Sequence, residues 1–303
     1  MKRTGALILL LCGSAASAAD LRPDPPKACD SCAEWNGPRE PFRVFGNTYF
    51  VGTAGLGSVL VTSAQGHILL DGGLPQSAPE VDAHIRKLGF RTEDVKLIVN
   101  SHAHYDHAGG IAALQRASGA TVAASAKGAE ALQKGRATDD DPQAGFGPAP
   151  NGYPAVKDVR VVKDGETLRV GDLAVTAHLT PGHTPGSTTW TWRSCAGERC
   201  LNLVYADSLN AVSAPGFRFG DGKGGGREPS FRKSIATVAA LPCDILLAVH
   251  PGFAQMDEKL KGRTKDHDPL IDPGACRAYA ADAAARLDTR VKEEAAAPAA
   301  GNR

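Results

Sequence analysis

The sequence has no excess of charge of either sign, and beyond residue 19 it has no apolar run long enough to cross a bilayer. It contains 34 Lys and Arg residues against 33 Asp and Glu residues, with no basic stripe. A basic stripe is the electrostatic footprint of nucleic-acid binding, and a membrane helix needs about 20 apolar residues. We therefore expect neither nucleic acid nor a membrane among the partners of the mature protein. The glycine run at 220–226 lacks the Gly-Lys-Ser/Thr of a phosphate-binding loop.

Residues 1–19 have the features of an export signal: Lys2 and Arg3, an apolar stretch at 6–11, and small residues before a cleavage point. Loss of Lys2 and Arg3 lowers the basic count from 34 to 32 against 33 acids, a net charge of about −1. We predict a periplasmic protein, with a monomer as the default state. The predicted divisions are a signal peptide at 1–19, an N-terminal segment at 20–40, a single domain at 41–292 and a disordered tail at 293–303.

Metal-ligand side chains are concentrated in one stretch, at His102, His104, Asp106 and His107, directly after a strand-like run at 95–100. Imidazole and carboxylate are zinc ligands. On a turn after a strand, the His-x-His alternation aims two rings the same way, and the adjacent Asp-His pair points at a second position nearby. This spacing predicts two metals side by side, an arrangement that activates water.

Two later histidines occupy similar junctions. His183 follows the strand-like run 173–179 in a Pro-Gly-His-Thr turn, and His250 ends the apolar run 245–249 before Pro-Gly. Five histidines and one aspartate could thus make two three-ligand sites, each with an open position. An open position is the mark of a catalytic zinc site.

Short strand-like runs, the first at 42–49, alternate with helical segments. The predicted helices are 79–88, 111–118, 126–134, 231–240 and 275–293. This order suits an α/β fold in which two sheets pack together with helices outside. Six cysteines remain after signal removal; Cys195 and Cys200 flank a hairpin tip and predict a local bridge. Cys29 and Cys32 could bridge each other or tie the N-terminus elsewhere.

His-x-His-x-Asp-His, the later Pro-Gly-His-Thr and the distal His250 together resemble the signature of the metallo-β-lactamase superfamily, over about 41–290. The chain looks most like a class B enzyme of the third subclass, because His107 follows Asp106 and Ser208 stands where other subclasses have a metal-binding cysteine. The resemblance implies a single-domain, four-layer αββα sandwich. It also implies a Cys243–Cys276 disulfide.

The resemblance further implies two Zn²⁺ ions. His102, His104 and His183 would hold the first, and Asp106, His107 and His250 the second. A zinc-activated water would open the lactam amide of penicillins, cephalosporins and carbapenems, giving antibiotic resistance. Asp106 and His183 are the predicted catalytic residues among these ligands. Ser208 and Asn210 are the predicted substrate-binding residues, although the subclass usually has Ser or Thr at the position of Asn210.

Several alternatives stay open. The same zinc pair serves thioesterases of the glyoxalase II type and acyl-homoserine lactonases, in which an aspartate near Asp207 bridges the metals. A non-catalytic zinc-binding protein is a further alternative. Asp71 could receive a ligand's N–H or cap a turn. The loops 138–154 and 210–229 would border the zinc cleft, although 222–226 could equally be a plain surface insertion.

Overall fold

The computed structural model describes residues 21–220 and 227–297. The strands are β1 (Phe42–Phe45), β2 (Thr48–Phe50), β3 (Val59–Ser63), β4 (Gly66–Leu70), β5 (Val95–Val99), β6 (Thr121–Ser125), β7 (Val159–Val162), β8 (Thr167–Val170), β9 (Leu173–Leu179), β10 (Thr188–Ala196), β11 (Arg199–Ala206) and β12 (Ile245–Ala248). The α-helices are α1 (Cys32–Trp35), α2 (Ala78–Lys87), α3 (Tyr105–Ala108), α4 (Ile111–Ser118), α5 (Ala126–Lys134), α6 (Pro148–Asn151), α7 (Arg227–Ala240), α8 (Met256–Lys261) and α9 (Ala275–Ala296).

The strands form two sheets. The first has seven strands in the order β1 to β7, and the second has five in the order β12-β11-β10-β9-β8. In the first sheet β1 to β4 pair antiparallel, whereas β4 to β7 pair parallel. The parallel pairs need crossover connections, and α2, α4 and α5 supply them.

The core between the sheets follows from the alternation of side chains along each strand. In β5, Leu97 and Val99 point into the core between the sheets, whereas Ile98 packs in the cluster with the outer helices. Trp190 and Trp192 of β10 alternate in the same way and are buried in the inner core. The indole N–H groups of both are satisfied, by Asn100 O at 3.0 Å and Thr48 Oγ1 at 2.9 Å.

Helices cover the outer faces of both sheets. Residues of α2, α4 and α5 pack in one cluster with the outward side chains of the first sheet. Residues of α7 and α9 pack in another with β11 and β12. The predicted α/β class and the layering of two sheets between helices are therefore confirmed. None of the helices in the described part of the chain is both long and apolar enough to cross a membrane.

The described residues contain three disulfides. Cys195–Cys200 closes the β10–β11 hairpin, and Cys243–Cys276 links the segment before β12 to α9, so both predicted bridges are confirmed. Cys29 pairs with Cys32, which decides between the two alternatives left open. This bridge lies at the start of α1, in the segment that leads to the candidate site.

The structure differs from the sequence prediction at both ends of the domain. The single strand predicted at 42–49 is two strands, because Gly46 adopts a positive φ of 51° and turns the chain between β1 and β2. At the other end, a disordered tail was predicted to begin at residue 293, whereas α9 continues to Ala296. Glu294 is buried there and accepts hydrogen bonds from two backbone amides. The predicted signal peptide and residues 298–303 lie outside the described residues.

Candidate metal centre

The predicted ligands come from three strand ends of two different sheets. His102 and His104 follow β5, His183 lies in the turn between β9 and β10, and His250 lies just beyond β12. The stretch after β5 is more regular than the predicted turn, since Asp106 and His107 lie on α3, a single helical turn that begins after His104. The structure thus brings all six predicted ligands to one place.

The first ligand group is His102, His104 and His183. One ligand atom from each residue lies within 4.8 Å of the others, and all three side chains are buried. The ring centroids are 4.7 to 4.9 Å apart, with the rings nearly perpendicular. His102 Nε2 is buried and has no hydrogen-bond partner among the described residues. Because a buried polar atom without a partner is costly, this nitrogen fits a metal ligand.

The second group is Asp106, His107 and His250. His107 Nε2 lies 3.2 Å from His250 Nε2 and 3.2 Å from Asp106 Oδ2, and His250 Nε2 lies 3.4 Å from Asp106 Oδ2. Ligand atoms about 2.0–2.1 Å from a tetrahedral zinc lie roughly 3.3 Å from one another. The triangle of donors therefore has the size that zinc requires. The donors of His102, Asp106 and His107 also lie within 4.8 Å of one another, so the two groups are adjacent.

Two ligands of the first group donate hydrogen bonds to buried carboxylates. His102 Nδ1 donates to Asp207 Oδ1 at 2.6 Å, and His104 Nε2 donates to the carboxylate of Asp141 at 3.2 Å. A carboxylate behind an imidazole fixes the ring and its tautomer and makes it a more basic ligand. Burial lowers the pKa of His104, but the charge of Asp141 outweighs it and the net shift is upward.

Backbone carbonyls orient two further ligands. His183 Nδ1 donates to Asn210 O at 2.7 Å, and His250 Nδ1 donates to Gly55 O at 3.1 Å. His107 Nδ1 is buried and has no hydrogen-bond partner in the described part of the chain. The two groups therefore differ in how firmly their imidazoles are held.

The pKa shifts of His183 and Asp106 favour metal binding. Burial, together with the neighbouring His102 and His104, lowers the pKa of His183 to about 3, so this imidazole is neutral at pH 7. Burial would raise the pKa of Asp106, but the adjacent histidines hold it well below its usual value. Neutral imidazoles and an ionised carboxylate are the states that bind zinc. The donor set lacks thiolate and leaves positions open, which fits catalytic zinc.

Four of the six candidate ligands, His104, Asp106, His183 and His250, line a cleft of about 620 Å³. Ser208 and Asn210, the predicted substrate-binding residues, both line it. The other lining residues are Glu34, Trp35, Ala54, Gly55, His104, Tyr105, Asp106, Gln143, His183, Val212, His250, Gly252, Phe253 and Asp257. A second groove of about 550 Å³ beside β1 and β2 is lined by neither histidine nor acid, so the chemistry is assigned to the first.

The two long loops meet beside this cleft. Ala214 N donates to Pro142 O at 2.9 Å, and a Cβ added to Gly145 would lie 2.9 Å from the Ala214 side chain. Gln143 from one loop and Val212 from the other line the cleft. Both loops therefore border the site as expected, while residues 221–226 lie outside the described residues.

The two ambiguous aspartates have distinct positions. Asp207 is fully buried behind His102. Asp71 receives no ligand N–H; instead its carboxylate accepts from Asn100 Nδ2, Ser101 N, Ser101 Oγ and Tyr205 OH at 2.6 to 2.9 Å. It adopts a left-handed φ of 58°. Asp71 thus holds the chain just before His102, which is closer to the turn-capping alternative.

Sequence reasoning missed three contributors to the site, namely Asp141, Gly55 and Trp35. Trp35 of α1 packs against His250, with ring centroids 5.3 Å apart. Gly55 lies so close to Trp35 that an added Cβ would be 2.7 Å from the Trp35 Cα. The Asp-Asp-Asp-Pro run at 139–142 was a visible signal for Asp141, but no local pattern marks Gly55 or Trp35.

Comparison with known proteins gives a consistent result. A family model described as the metallo-beta-lactamase superfamily matches residues 57–195. Among solved structures, Rm3 metallo-beta-lactamase is 53% identical, with 89% of this chain and 100% of that chain covered and a TM-score of 0.85.

Two further solved structures are similar along nearly their whole length. MEM-A1, a subclass B3 metallo-beta-lactamase from a soil metagenome library, is 50% identical, with 86% of this chain and 99% of that chain covered and a TM-score of 0.83. BJP-1, a subclass B3 metallo-beta-lactamase of Bradyrhizobium japonicum, is 32% identical, with 88% and 98% covered and a TM-score of 0.80.

Proposed function

The chain belongs to the metallo-beta-lactamase superfamily, as its motifs predicted, and we propose that it is an exported zinc hydrolase that opens the amide of β-lactam antibiotics and so gives resistance to them. The similar solved structures are β-lactamases, which supports this substrate class. The observation that carries the proposal is the convergence of two adjacent three-donor groups, each with two members that line one cleft.

His102, His104 and His183 would hold one Zn²⁺ ion, and Asp106, His107 and His250 the other. When bound, zinc lowers the pKa of a water from 15.7 to about 7 and polarises a carbonyl oxygen. The protein's part is to keep the donors in their binding states and the site shaped for the substrate. We propose Asp106 and His183 as catalytic residues among these ligands; both line the cleft, as do His104 and His250.

Ser208 and Asn210 are proposed to receive the substrate carboxylate, since both offer neutral hydrogen-bond donors at the cleft. Burial raises the pKa of Tyr105 to about 12, so its phenol keeps its proton at neutral pH and can also donate in this cleft. No hydrogen bond links Ser208 to a histidine within the described residues. A serine nucleophile needs an adjacent base, so Ser208 has a binding role instead.

The thioesterase and lactonase alternative is less well supported. It would need an aspartate between the metals near Asp207, whereas Asp207 Oδ1 is 2.6 Å from His102 Nδ1, behind the ligand. The relatives named above are all β-lactamases. We therefore propose β-lactams as the substrates of this site.

Export is supported by the three disulfides, because such bonds persist in oxidising compartments such as the periplasm. We propose a signal peptide at 1–19, an N-terminal segment at 20–40 and one domain that follows it. We also propose a monomer, which size-exclusion chromatography with light scattering would test.

The test is hydrolysis of nitrocefin by the purified enzyme before and after chelation. We expect turnover to fall at least about 100-fold on metal removal and to return with Zn²⁺. His250→Ala should lower turnover in the same way, whereas His267→Ala, at an exposed histidine, should not. Full turnover by the metal-free protein would refute the proposal. Hydrolysis of a lactone or thioester panel without hydrolysis of any β-lactam would favour the alternative.

A further inference from the structure

The last helix, α9, lies against the segment 207–220, which we call the wall segment because Ser208, Asn210 and Val212 of the cleft belong to it. This segment has no helix or strand of its own. Its conformation therefore depends on contacts from elsewhere, because irregular backbone has few internal hydrogen bonds to fix it.

Near its start the wall segment is held by Tyr279. The Tyr279 hydroxyl donates to Asp207 O at 2.8 Å and accepts from Leu209 N at 3.3 Å. The side chain is buried, at 3% exposure. One phenol thus fixes the backbone on both sides of Ser208.

Near its end the wall segment is held by Glu294. The carboxylate accepts from Phe219 N at 3.0 Å, from Gly220 N at 2.9 Å and from Arg290 Nε at 2.6 Å. Burial alone would raise the pKa of Glu294, but these hydrogen bonds outweigh it and the net shift is downward. The group is therefore ionised at neutral pH, and charge-assisted hydrogen bonds are the stronger kind.

Arg290 completes the contact. Its Nη2 donates to Ser213 Oγ at 2.8 Å and to Phe217 O at 3.2 Å, and its guanidinium lies 5.6 Å from the Phe219 ring centroid. A guanidinium offers five donors in a rigid fork, so one side chain can hold several points of an irregular chain.

We propose that Arg290 and Glu294 are positioning residues that fix the wall segment and thereby determine how tightly substrate binds in the cleft. This inference rests on the proposed function. The two residues touch neither substrate nor metal ligand. They act through 213–220 on Val212 and Asn210, which face the cleft at the other end of the same segment.

The geometry predicts an effect on binding more than on chemistry. Val212 is 39% exposed at the cleft, and its amide donates to Asn210 O at 2.9 Å. That same carbonyl accepts from His183 Nδ1 at 2.7 Å. Tyr279 still holds the chain at Leu209 when the far end is released, so the His183 contact should persist while the wall moves. KM should therefore rise while kcat and zinc content change little.

The variants are Glu294→Gln, which keeps the shape but removes one acceptor, and Arg290→Ala, with Arg290→Lys as a milder change. The control is Asp288→Asn. Asp288 lies on the same helix and pairs with Arg232 of α7, and no contact joins it to the described wall segment. All four proteins are compared with wild type as holoenzymes, by zinc content, by steady-state kinetics with one cephalosporin and one carbapenem, and by hydrogen exchange.

We expect KM to rise roughly fivefold to tenfold in Glu294→Gln and Arg290→Ala, with kcat within about twofold. The amides of Phe219 and Gly220 should exchange faster, and Arg290→Lys should be intermediate. Asp288→Asn should match wild type. Faster exchange with an unchanged KM would overturn the inference, as would equal losses of kcat and zinc in every variant, Arg290→Lys included. Absence of turnover in wild type would instead count against the proposed function.

Discussion

The two sides of the cleft differ in where the carboxylates that surround the candidate ligands lie. On the side of the first ligand group, Asp141 and Asp207 are buried behind His104 and His102, and the lining residues Gln143, Ser208 and Asn210 are neutral. On the side of the second group, a backbone carbonyl of Gly55 stands behind His250. Apart from the buried Asp106, which is itself a candidate ligand, the carboxylates on that side, Glu34 and Asp257, lie at the exposed rim.

A carboxylate therefore has a different role at each of these two positions. A carboxylate behind an imidazole strengthens the ligand and so acts on the metal. A carboxylate at the rim is screened by water and acts on whatever enters the cleft. We therefore expect the first group to hold its metal more tightly, and the second side to influence the choice of substrate.

The largest expected effect concerns the buried charge of Asp71, behind the chain that leads to His102. Burial raises the pKa of Asp71 to about 6 from 3.8, even though it accepts hydrogen bonds from Ser101 and Tyr205. For an acid with a raised pKa the folded state binds the proton more tightly, so its contribution to stability is present below about pH 4. That contribution is lost as pH rises through about 6, and a shift of this size corresponds to about 3 kcal/mol.

The measurement is the difference in free energy of unfolding between metal-free wild type and metal-free Asp71→Asn, by urea titration from pH 4 to 7. We expect wild type to lose stability relative to the variant as pH rises through this range. The metal-free form avoids a contribution from zinc release. Parallel pH profiles for the two proteins would show that ionisation of Asp71 does not lower the free energy of unfolding.

The next prediction concerns the carboxylates that accept hydrogen bonds from the first ligand group. Asp207→Asn keeps the shape of the side chain but removes the charge that His102 Nδ1 meets at 2.6 Å. Loss of such a partner typically lowers metal affinity about 10- to 100-fold. Competition with a chromophoric chelator should show weaker binding of one zinc only. Asp172→Asn, at an exposed turn, is the control, and equal zinc affinities in the two variants would contradict the expected asymmetry.

The six candidate ligands, which the structure brings together, could be chosen from sequence, whereas the groups that orient them could not. The ligands lie in short motifs at strand ends, where local spacing carries the signal. Asp141 is 37 residues from His104, and Gly55 is 195 residues from His250. Such contacts arise only when the chain folds, so no short window of sequence contains both members.

The fold shows the same limit. Helices with clear apolar periodicity, such as α4 and α5, begin and end where the sequence predicted them. The short helix α3 was missed because one turn leaves no period to detect. The end of α9 was missed because Glu294 is stabilised by the distant Phe219 and Gly220 rather than by its Ala-rich neighbours.

A smaller effect is expected on the second side, where Trp35 supports His250 through ring contact and through Gly55. Trp35→Ala should weaken binding of the second zinc by about tenfold, at the lower end of the range for a supporting residue. Trp35→Phe keeps a ring and should retain most of the affinity. The same chelator competition separates this from Asp207→Asn, because the two variants should weaken different zinc ions. If both variants weakened binding of the same zinc ion, the expected difference between the two sides of the cleft would be wrong.

The smallest effect concerns the rim charge of Glu34. No lysine or arginine is present among the lining residues of the cleft, and Asp257 is paired with Arg39, which leaves Glu34 as an exposed rim acid without an ion pair among the described residues. An exposed charge about 8 Å from a cationic substituent contributes roughly 0.5 kcal/mol, or about twofold. Wild type should therefore prefer a cephalosporin with a pyridinium substituent over a neutral analogue, and Glu34→Gln should lower the ratio of their kcat/KM values about twofold at low salt.

At about 1 M salt the Debye length falls to roughly 3 Å, so this difference between wild type and Glu34→Gln should disappear. Glu40→Gln is the matched control, because Glu40 is also exposed but pairs with Lys87 outside the cleft. A ratio that is unchanged at low salt would mean that the rim carboxylate does not reach the substrate. A ratio that changes equally at low and high salt would mean that Glu34 acts by contact rather than by charge. Only a change in the ratio that disappears at high salt supports the proposed difference in roles. In that case buried carboxylates strengthen metal binding, and exposed rim carboxylates influence the choice of substrate.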